Sequence, residues 1–198
     1  MPDKHPILFT PENVRAILEG RKTQTRRLVK LTDAGRIKKP GSPKNWHPDD
    51  ANAVQACPYG MRGDRLWVRE TWAIGVSTGN SWHSEDGRIK SIAEPHRYSR
   101  RYAADGTEGF CGKWRPSIFM PRWACRLVLE LTEVRVERLQ ECSEADAIAE
   151  GVKPCGHSSF HVDEHTCSYK KLWESINGDG SWAKNPWVWV LTFKRVTA

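Results

Sequence analysis

The closing run of the chain, from Pro186 to Val196, constrains the fold most because it is the strongest strand pattern present. It reads Pro-Trp-Val-Trp-Val-Leu-Thr-Phe-Lys-Arg-Val and is rich in aromatic and β-branched residues. Leucines alternate with polar residues before Thr132-Glu133, and valines do so after it. This pattern predicts two further strands that are separated by a break at Thr132-Glu133. The extended segments predicted elsewhere are residues 22–29, 65–72, 126–131 and 134–136.

Capping signals predict three short helices. Each begins at a hydroxyl residue and ends near a glycine, at Thr10 to Gly20, Ser143 to Gly151 and Ser168 to Gly178. The apolar residues of the last helix fall on one face, which we expect to be buried: Leu172, Trp173 and Ile176. Helices and strands do not alternate regularly enough for a parallel βαβ sheet, so we predict an α+β fold with a compact, partly closed barrel as its core.

The 198 residues are most simply one domain, residues 1–198, that is long enough to bury its own core. Two stretches of it lack periodicity and are rich in loop-forming residues, at about 32–56 and 74–113, and we interpret them as insertions. A third irregular stretch, at 155–167, is rich in Cys and His.

The composition favours an anionic partner. The formal net charge is +7, and the basic residues are spread along the chain instead of being gathered in a tail, which predicts a folded cationic surface. Nucleic acid or a nucleotide is the first candidate. No apolar run reaches the length of a signal peptide or a membrane span, so we expect a cytosolic protein with no membrane partner. The six Cys are then expected to be thiols or metal ligands.

The segment after Gly20 carries the chemistry in this interpretation. It reads Arg-Lys-Thr-Gln-Thr-Arg-Arg, so that four cations surround two hydroxyls, those of Thr23 and Thr25. Four cations cannot all be buried cheaply, which predicts a wet cleft that attracts anions. A hydroxyl in such a cleft can bind phosphate or act as a nucleophile.

Four motifs resemble the ASCH domain family: Gly20–Arg26, Gly63–Thr71, Ala147–Gly151 and the closing Trp-Val-Trp-Val strand. That family is common in bacteria and their phages, and the length of this chain resembles that of a longer member of phage or prophage type. The resemblance implies a PUA-like mixed β-barrel with short flanking helices. It does not extend to the two insertions or to the Cys/His loop.

The resemblance also implies an activity. Small bacterial members of the family are amidohydrolases that remove the acetyl group from N4-acetylcytidine with a Lys, a Thr and a Glu. By motif these residues are Lys22, Thr25 and Glu150, and no cofactor is implied. Other members bind or cleave RNA. The implied function is therefore an amidohydrolase acting on N4-acylated cytosine, with a noncatalytic RNA-binding module or a ribonuclease as alternatives; the substrate is a free nucleoside, RNA or modified DNA.

Deacylation of an amide needs a nucleophile, a base, donors for the oxyanion and an acid for the leaving amine. Thr25 is the nucleophile or orients a water, Lys22 is the base, and Glu150 relays the proton to N4. The amine accepts a proton only if its pKa is lowered, which we attribute to repulsion by Arg21, Arg26 and Arg27. Since a regular strand would put Lys22 and Thr25 on opposite faces, Lys22 must lie in the turn after Gly20. Composition alone favours a surface phosphate-binding segment beside an ordinary helix-end acid.

Further candidates for substrate binding come from the first two motifs and the turn before the second, and most are cations or aromatic rings: Arg21, Thr23, Arg26, Arg65, Arg69, Glu70, Trp72 and Tyr59. Glu70 could accept hydrogen bonds from a base and the arginines could hold phosphate, while an exterior ion pair between strands is the alternative. The two aromatic rings could stack on a base, although core packing is the commoner use of any single ring.

The Cys/His loop contains five side chains of the types that bind zinc: Cys155, His157, His161, His165 and Cys167. Their spacing matches no standard zinc finger, so we favour a polar loop without metal. The alternative is a structural zinc that orders the loop between two helices.

Overall fold

A computed structural model of the chain describes residues 4–38, 44–78, 81–84, 99–106, 113–156 and 164–196. The helices in these ranges are α1 (Pro11–Leu18), α2 (Glu144–Ala149) and α3 (Glu164–Asn177). The strands are β1 (Lys4–Leu8), β2 (Gln24–Leu28), β3 (Ile37–Lys38), β4 (Asn45–Trp46), β5 (Arg65–Arg69), β6 (Trp72–Thr78), β7 (Ser81–Ser84), β8 (Ser99–Tyr102), β9 (Val128–Arg138) and β10 (Trp187–Val196).

The main sheet has five strands in the order β1-β5-β9-β10-β2. Its β1–β5 pair is parallel and its other three pairs are antiparallel. The smaller strands form a three-stranded sheet, β7-β6-β8, and a two-stranded pair, β3 with β4. The α+β prediction is therefore confirmed, with a mostly antiparallel sheet and few helices.

The closing strand β10 separates two parts of the core. Trp189 and Leu191 pack into a cluster that contains the apolar face of α1, whereas Val188 and Val190 pack against residues of α2 and α3. A strand that is buried on both faces has no polar face to alternate, which explains its nearly continuous apolar sequence. The main sheet thus has α1 on one side and α2 with α3 on the other.

The barrel predicted from the sequence is not closed. Within the described ranges the two edge strands of the main sheet, β1 and β2, are not paired with each other, so the sheet remains open. The two strands predicted on either side of Thr132-Glu133 are one strand, because β9 runs from Val128 to Arg138. The predicted break corresponds to an irregularity within it: Thr192 of β10 lies opposite Glu133 and Phe193 lies opposite Leu131, so Thr132 is the extra residue of a bulge in β9.

Both insertions contain regular structure. The first holds the β3–β4 pair and a short 3₁₀ turn at Ala53–Ala56. The second contributes β7, β8 and most of β6. Trp72 and Ile74 of β6 pack with Tyr102 of β8 in a third, separate core cluster. In the described parts of these stretches, the absence of periodicity therefore reflects strands that are too short to show it.

Two of the three predicted helices have the expected starts. Thr10 caps α1 by accepting a hydrogen bond from the Asn13 N–H at 3.4 Å, and Ser143 caps α2 in the same way. The third prediction is wrong at its N-terminus, since α3 begins at Glu164, four residues before Ser168.

The side chain that caps α3 comes from another helix. Glu144 of α2 accepts hydrogen bonds from the backbone N–H groups of His165 and Thr166, at 2.8 and 2.9 Å. The predicted buried face of α3 is also partly wrong: Tyr169 and Trp173 are buried, whereas the Ile176 side chain is 61% exposed. No helix in the described part of the chain is both long enough and apolar enough to cross a membrane.

We predict that Glu144→Ala lowers the free energy of unfolding by about 1–2 kcal/mol at neutral pH, because α3 loses its capping acceptor. Partial burial raises the pKa of Glu144, but the hydrogen bonds from His165 and Thr166 outweigh it and bring the pKa to about 2. The carboxylate therefore stabilises the fold above its ordinary pKa of 4.5, and this contribution is lost as the pH falls towards 2. Urea denaturation measured at several pH values should show the difference between variant and wild type shrinking in acid; a constant difference would contradict it.

Candidate active site

The segment between α1 and β2 is a tight turn held by backbone hydrogen bonds. Gly20 has a φ of +77°, a conformation that favours glycine. The N–H of Lys22 donates to the Ala16 carbonyl at 3.0 Å, and that of Thr23 donates to the Ala149 carbonyl at 2.8 Å. Lys22 therefore lies in the turn after Gly20, as the geometric condition stated above requires, and β2 starts two residues later.

Lys22 forms a buried ion pair with Glu150, which ends α2 as its C-cap. Its Nζ lies 2.6 Å from Oε2 of that carboxylate and also donates to the Glu150 backbone carbonyl at 2.9 Å. The two residues are only 3% and 4% exposed. At this distance a proton can pass directly between the amine and the carboxylate, so the pair is suited to proton transfer.

Burial is the largest influence on the amine and lowers the pKa of Lys22 below 10.5. Glu150 opposes this effect, while Arg27 and Arg26 add to it. The predicted lowering is therefore present, but its main cause is desolvation, with like-charge repulsion second. Arg21 plays no part, because its exposed side chain pairs with Glu19.

The side chain of Arg26 is fully buried and is surrounded by acceptors. Its guanidinium donates to Glu137 at 2.6 Å and to Gln24 at 2.6 Å, and it lies 3.4 Å from Oε1 of Glu150 and 3.3 Å from Asp146. A guanidinium engaged in this way is not available to hold a phosphate. The prediction of Arg26 as a substrate ligand is replaced by a positioning role, in which it fixes the Glu150 carboxylate beside Lys22.

The three residues implied by the resemblance line one cavity of about 350 Å³, which is within the range of roughly 300–1,000 Å³ typical of small-molecule sites. Lys22, Thr25 and Glu150 share it with cations, aromatic rings and apolar side chains. Those that bear on the chemistry are Arg27, Lys30, Tyr59, Tyr169 and Trp173. The ring of Phe9 lies 5.9 Å from the Lys22 Nζ and shields the amine on one side.

One wall of this cavity was missed at the level of sequence. Tyr169 and Trp173 of α3 are four residues apart and share one helix face, with their ring centroids 6.4 Å apart. Burial, and then the nearby Glu150 carboxylate, raises the pKa of the Tyr169 phenol, which therefore remains a neutral donor. The spacing of the two rings was the signal, since both fall in the predicted helix, but Tyr169 was not assigned to its buried face.

Two hydrogen-bond donors around the cavity have no acceptor among the described residues. They are Nε of Arg27 and Nε1 of Trp173, and both atoms are buried. Both residues line the cavity. Because a buried donor without an acceptor is costly, these groups favour an occupant that presents oxygen or nitrogen acceptors.

The other predicted ligands are distributed unevenly. Tyr59 lines the cavity, whereas Arg21, Thr23, Arg65, Arg69, Glu70 and Trp72 do not. Glu70 is buried in an ion pair with Arg126 at 2.9 Å, and Arg69 donates to the Ser117 carbonyl at 3.2 Å. Trp72 is fully buried with its ring centroid 5.6 Å from that of Trp123, so it is a core residue and not a stacking platform.

The described residues include only three of the five candidate zinc ligands, Cys155, His165 and Cys167. His157 and His161 lie outside the described residues. In the described ranges no group of three or more His, Cys, Asp or Glu is arranged to hold a metal ion. His165 is instead occupied by Glu144, whose Oε1 lies 2.7 Å from its Nδ1.

No protein-family model, curated protein or solved structure matches this chain. Its function is therefore inferred from the geometry of the cavity and from the sequence motifs.

Gly151 provides a test of how closely the turn is packed. Its φ is +80°, and a Cβ at this position would lie 2.8 Å from the Cβ of Lys22. We predict that Gly151→Ala lowers the free energy of unfolding by about 1–3 kcal/mol more than Gly178→Ala. Gly178 is the matched control because it also follows a helix, at a φ of +90°, but has nothing within 4 Å. Equal losses for the two variants in urea denaturation would show that the contact with Lys22 is unimportant.

Proposed function

We propose that the protein is an amidohydrolase that removes an acyl group from N4-acylated cytosine. The observation that carries the proposal is the convergence of Lys22, Thr25 and Glu150 on one cavity, with the Lys22 Nζ 2.6 Å from Glu150. An amine of lowered pKa, a hydroxyl and a carboxyl supply the base, the nucleophile and the acid that amide hydrolysis requires. The resemblance of the surrounding motifs to the ASCH family names the substrate class.

In the proposed mechanism the shared proton starts on Glu150 and the Lys22 amine is neutral. The amine takes the proton of the Thr25 hydroxyl while Oγ1 bonds to the acyl carbon. Glu150 gives its proton to N4 as the carbon–nitrogen bond breaks, which releases the cytosine amine. Water then attacks the threonine ester: Glu150 accepts its proton, Lys22 returns one to Oγ1, and the carboxylic acid leaves. If Thr25 instead orients a water molecule, Lys22 and Glu150 act as base and acid in a direct attack of that water on the acyl carbon.

The donors without acceptors suit the same reaction. During attack the acyl oxygen gains negative charge, which must be stabilised by donors that are already in position. Nε of Arg27 and Nε1 of Trp173 are buried donors on residues that line the cavity, and neither has another acceptor within the described ranges. We assign them to the acyl oxygen or to the acceptors of the pyrimidine ring.

The two alternatives fit the site less well. A noncatalytic RNA-binding module or a ribonuclease would use the cations of the Gly20–Arg26 motif to hold phosphate. Lys22 and Arg26 are instead buried and paired with carboxylates, and Arg21 pairs with Glu19. The cation that follows the motif, Arg27, lines the cavity with a donor that has no acceptor in the described part of the chain.

The hydroxyl of Thr25 can be tested by an isosteric change. We predict that Thr25→Val lowers kcat for acetate release from N4-acetylcytidine by at least about 100-fold, since the variant keeps the shape but loses the oxygen. Thr25→Ser keeps a hydroxyl and should retain most of the activity. Thr23→Val is the control, because Thr23 is exposed and outside the cavity.

The outcome is read by chromatography of cytidine and acetate, with circular dichroism to verify folding. Lys22→Met, which keeps length without the amine, should also abolish turnover. Full activity in either Thr25→Val or Lys22→Met would overturn the mechanism. If the wild type releases no acetate but binds RNA with a steep dependence on salt, the noncatalytic alternative is correct.

The pH dependence provides an independent test of the base. The mechanism needs the one proton that Lys22 and Glu150 hold between them, and this proton is lost as the pH rises through the pKa of Lys22. Because that pKa is lowered, kcat/KM should fall with rising pH, with the falling limb below 10.5. Arg27 contributes to the lowering. Arg27→Gln should therefore move the falling limb to higher pH, whereas Arg21→Gln should leave it in place. An unchanged limb in Arg27→Gln would exclude Lys22 as the titrating group.

A further inference from the structure

A second pocket, of about 380 Å³, adjoins the central cavity. Leu28, Lys30 and Tyr59 line both spaces, so the two lie side by side. The far wall of the second pocket comes from the first insertion, through Ile37, Lys38 and Ala56. The insertion, to which the family resemblance does not extend, thus borders the site directly.

Two lysines of this pocket, Lys30 and Lys38, flank the same turn. Leu31 and Ile37 close the turn with an isolated antiparallel bridge, and the N–H of Thr32 donates to the Arg36 carbonyl at 2.8 Å within it. Lys30 precedes Leu31 and Lys38 follows Ile37, so both cations lie next to the bridge and line the same pocket.

Carboxylates do not balance these two positive charges in the described part of the pocket. No acidic residue among those described lines it, and neither lysine has a carboxylate partner in the described ranges. The rest of the lining is apolar or aromatic, including Trp189 and Tyr59. Two cations beside such a surface suit an anion that carries an organic group.

A third space adjoins the central cavity on another side, and the positive and negative side chains that line it are equal in number. The third space, of about 710 Å³, shares Thr10, Asn13 and Glu150 with the central cavity. It is lined by three cations and three carboxylates, namely Arg15, Arg21, Lys153, Glu12, Glu19 and Glu150. An anionic extension of a bound substrate is therefore drawn towards Lys30 and Lys38, because that side has cations without carboxylates.

We infer that Lys30 and Lys38 form a phosphate subsite beside the central cavity, so that the substrate is a phosphorylated cytosine nucleoside, either a nucleotide or a residue of single-stranded nucleic acid. The inference rests on the proposed function for the identity of the base. With the acylated base in the central cavity, Tyr59 lies at the junction of the two spaces, where its ring can contact the sugar or stack on a base. The phosphate then lies between the two ammonium groups.

The test compares N4-acetylcytidine with its 5′- and 3′-monophosphates and with a short acetylated RNA oligonucleotide. We expect KM to be at least about fivefold lower for a phosphorylated substrate than for the nucleoside, since exposed ion pairs contribute modestly. If both monophosphates bind no better than the nucleoside but the oligonucleotide does, the subsite accepts a phosphodiester of a polymer. If one monophosphate suffices, the substrate is a nucleotide.

Lys38→Glu is the most informative variant. It should abolish the preference for phosphate, because it replaces a cation of the pocket with an anion, while the melting temperature changes little because Lys38 is exposed. Lys30→Gln should also reduce the preference. Lys153→Gln, which removes a cation from the charge-balanced space, is the control and should retain it. The subsite is overturned if no phosphorylated ligand is preferred, or if Lys153→Gln loses as much preference as Lys38→Glu.

Binding separates this inference from the activity. Calorimetry with unacylated cytidine and its monophosphates needs no turnover. Preferential binding of a monophosphate without acetate release would support the subsite and count against the amidohydrolase. Acetate release without any phosphate preference would retain the amidohydrolase and overturn the subsite.

Discussion

The ion pair between Lys22 and Glu150 is the constraint on which the rest of the site depends. Neither charge can be buried alone without a penalty of several kcal/mol. The pair is accompanied by Arg26, Arg135, Glu137 and Asp146, so that three cations meet three carboxylates. The network links the turn after α1, strands β2 and β9, and the helix α2. A local element that shifted would leave a buried charge without its partner, which explains why these segments are held together tightly.

The division of the core by β10 determines where the cavity lies. Although α1 covers one face of the main sheet and α2 with α3 cover the other, α1 and the end of α2 meet beside the turn into the edge strand β2, where a Cβ on Gly151 would lie 3.2 Å from that of Ala16. The cavity lies there, lined by β2, by the end of α2 and by the ring-bearing face of α3. Aromatic and aliphatic walls exclude water from Lys22, and this exclusion both lowers its pKa and strengthens every charge interaction around it.

The sequence predicted what is determined locally. Caps at Thr10 and Ser143, the turn at Gly20 and the strand at the end of the chain depend on neighbouring residues, and the structure contains them. The position of Lys22 in a turn was a condition of the catalytic hypothesis, since the extended pattern at 22–29 by itself would have placed Lys22 in the strand that begins at Gln24. The start of α3 could not be predicted in this way, because Glu144 caps it from another helix. The role of Arg26 was likewise hidden, since its carboxylate partners come from β9 and α2, more than a hundred residues away in the chain.

The first insertion relates the proposed reaction to its proposed specificity. The charged network belongs to segments of the main sheet and its helices, whereas the insertion packs into the main core through Ile37, Trp46 and Ala53. The pocket that adjoins the cavity depends on the insertion, because Ile37, Lys38 and Ala56 form its far wall. Lys30 and Lys38 make no contact with the network among the described residues, so under the proposed function their charge would act on the substrate and not on the pair of Lys22 and Glu150. We therefore infer that the network provides the chemistry and that the insertion contributes to the choice of substrate.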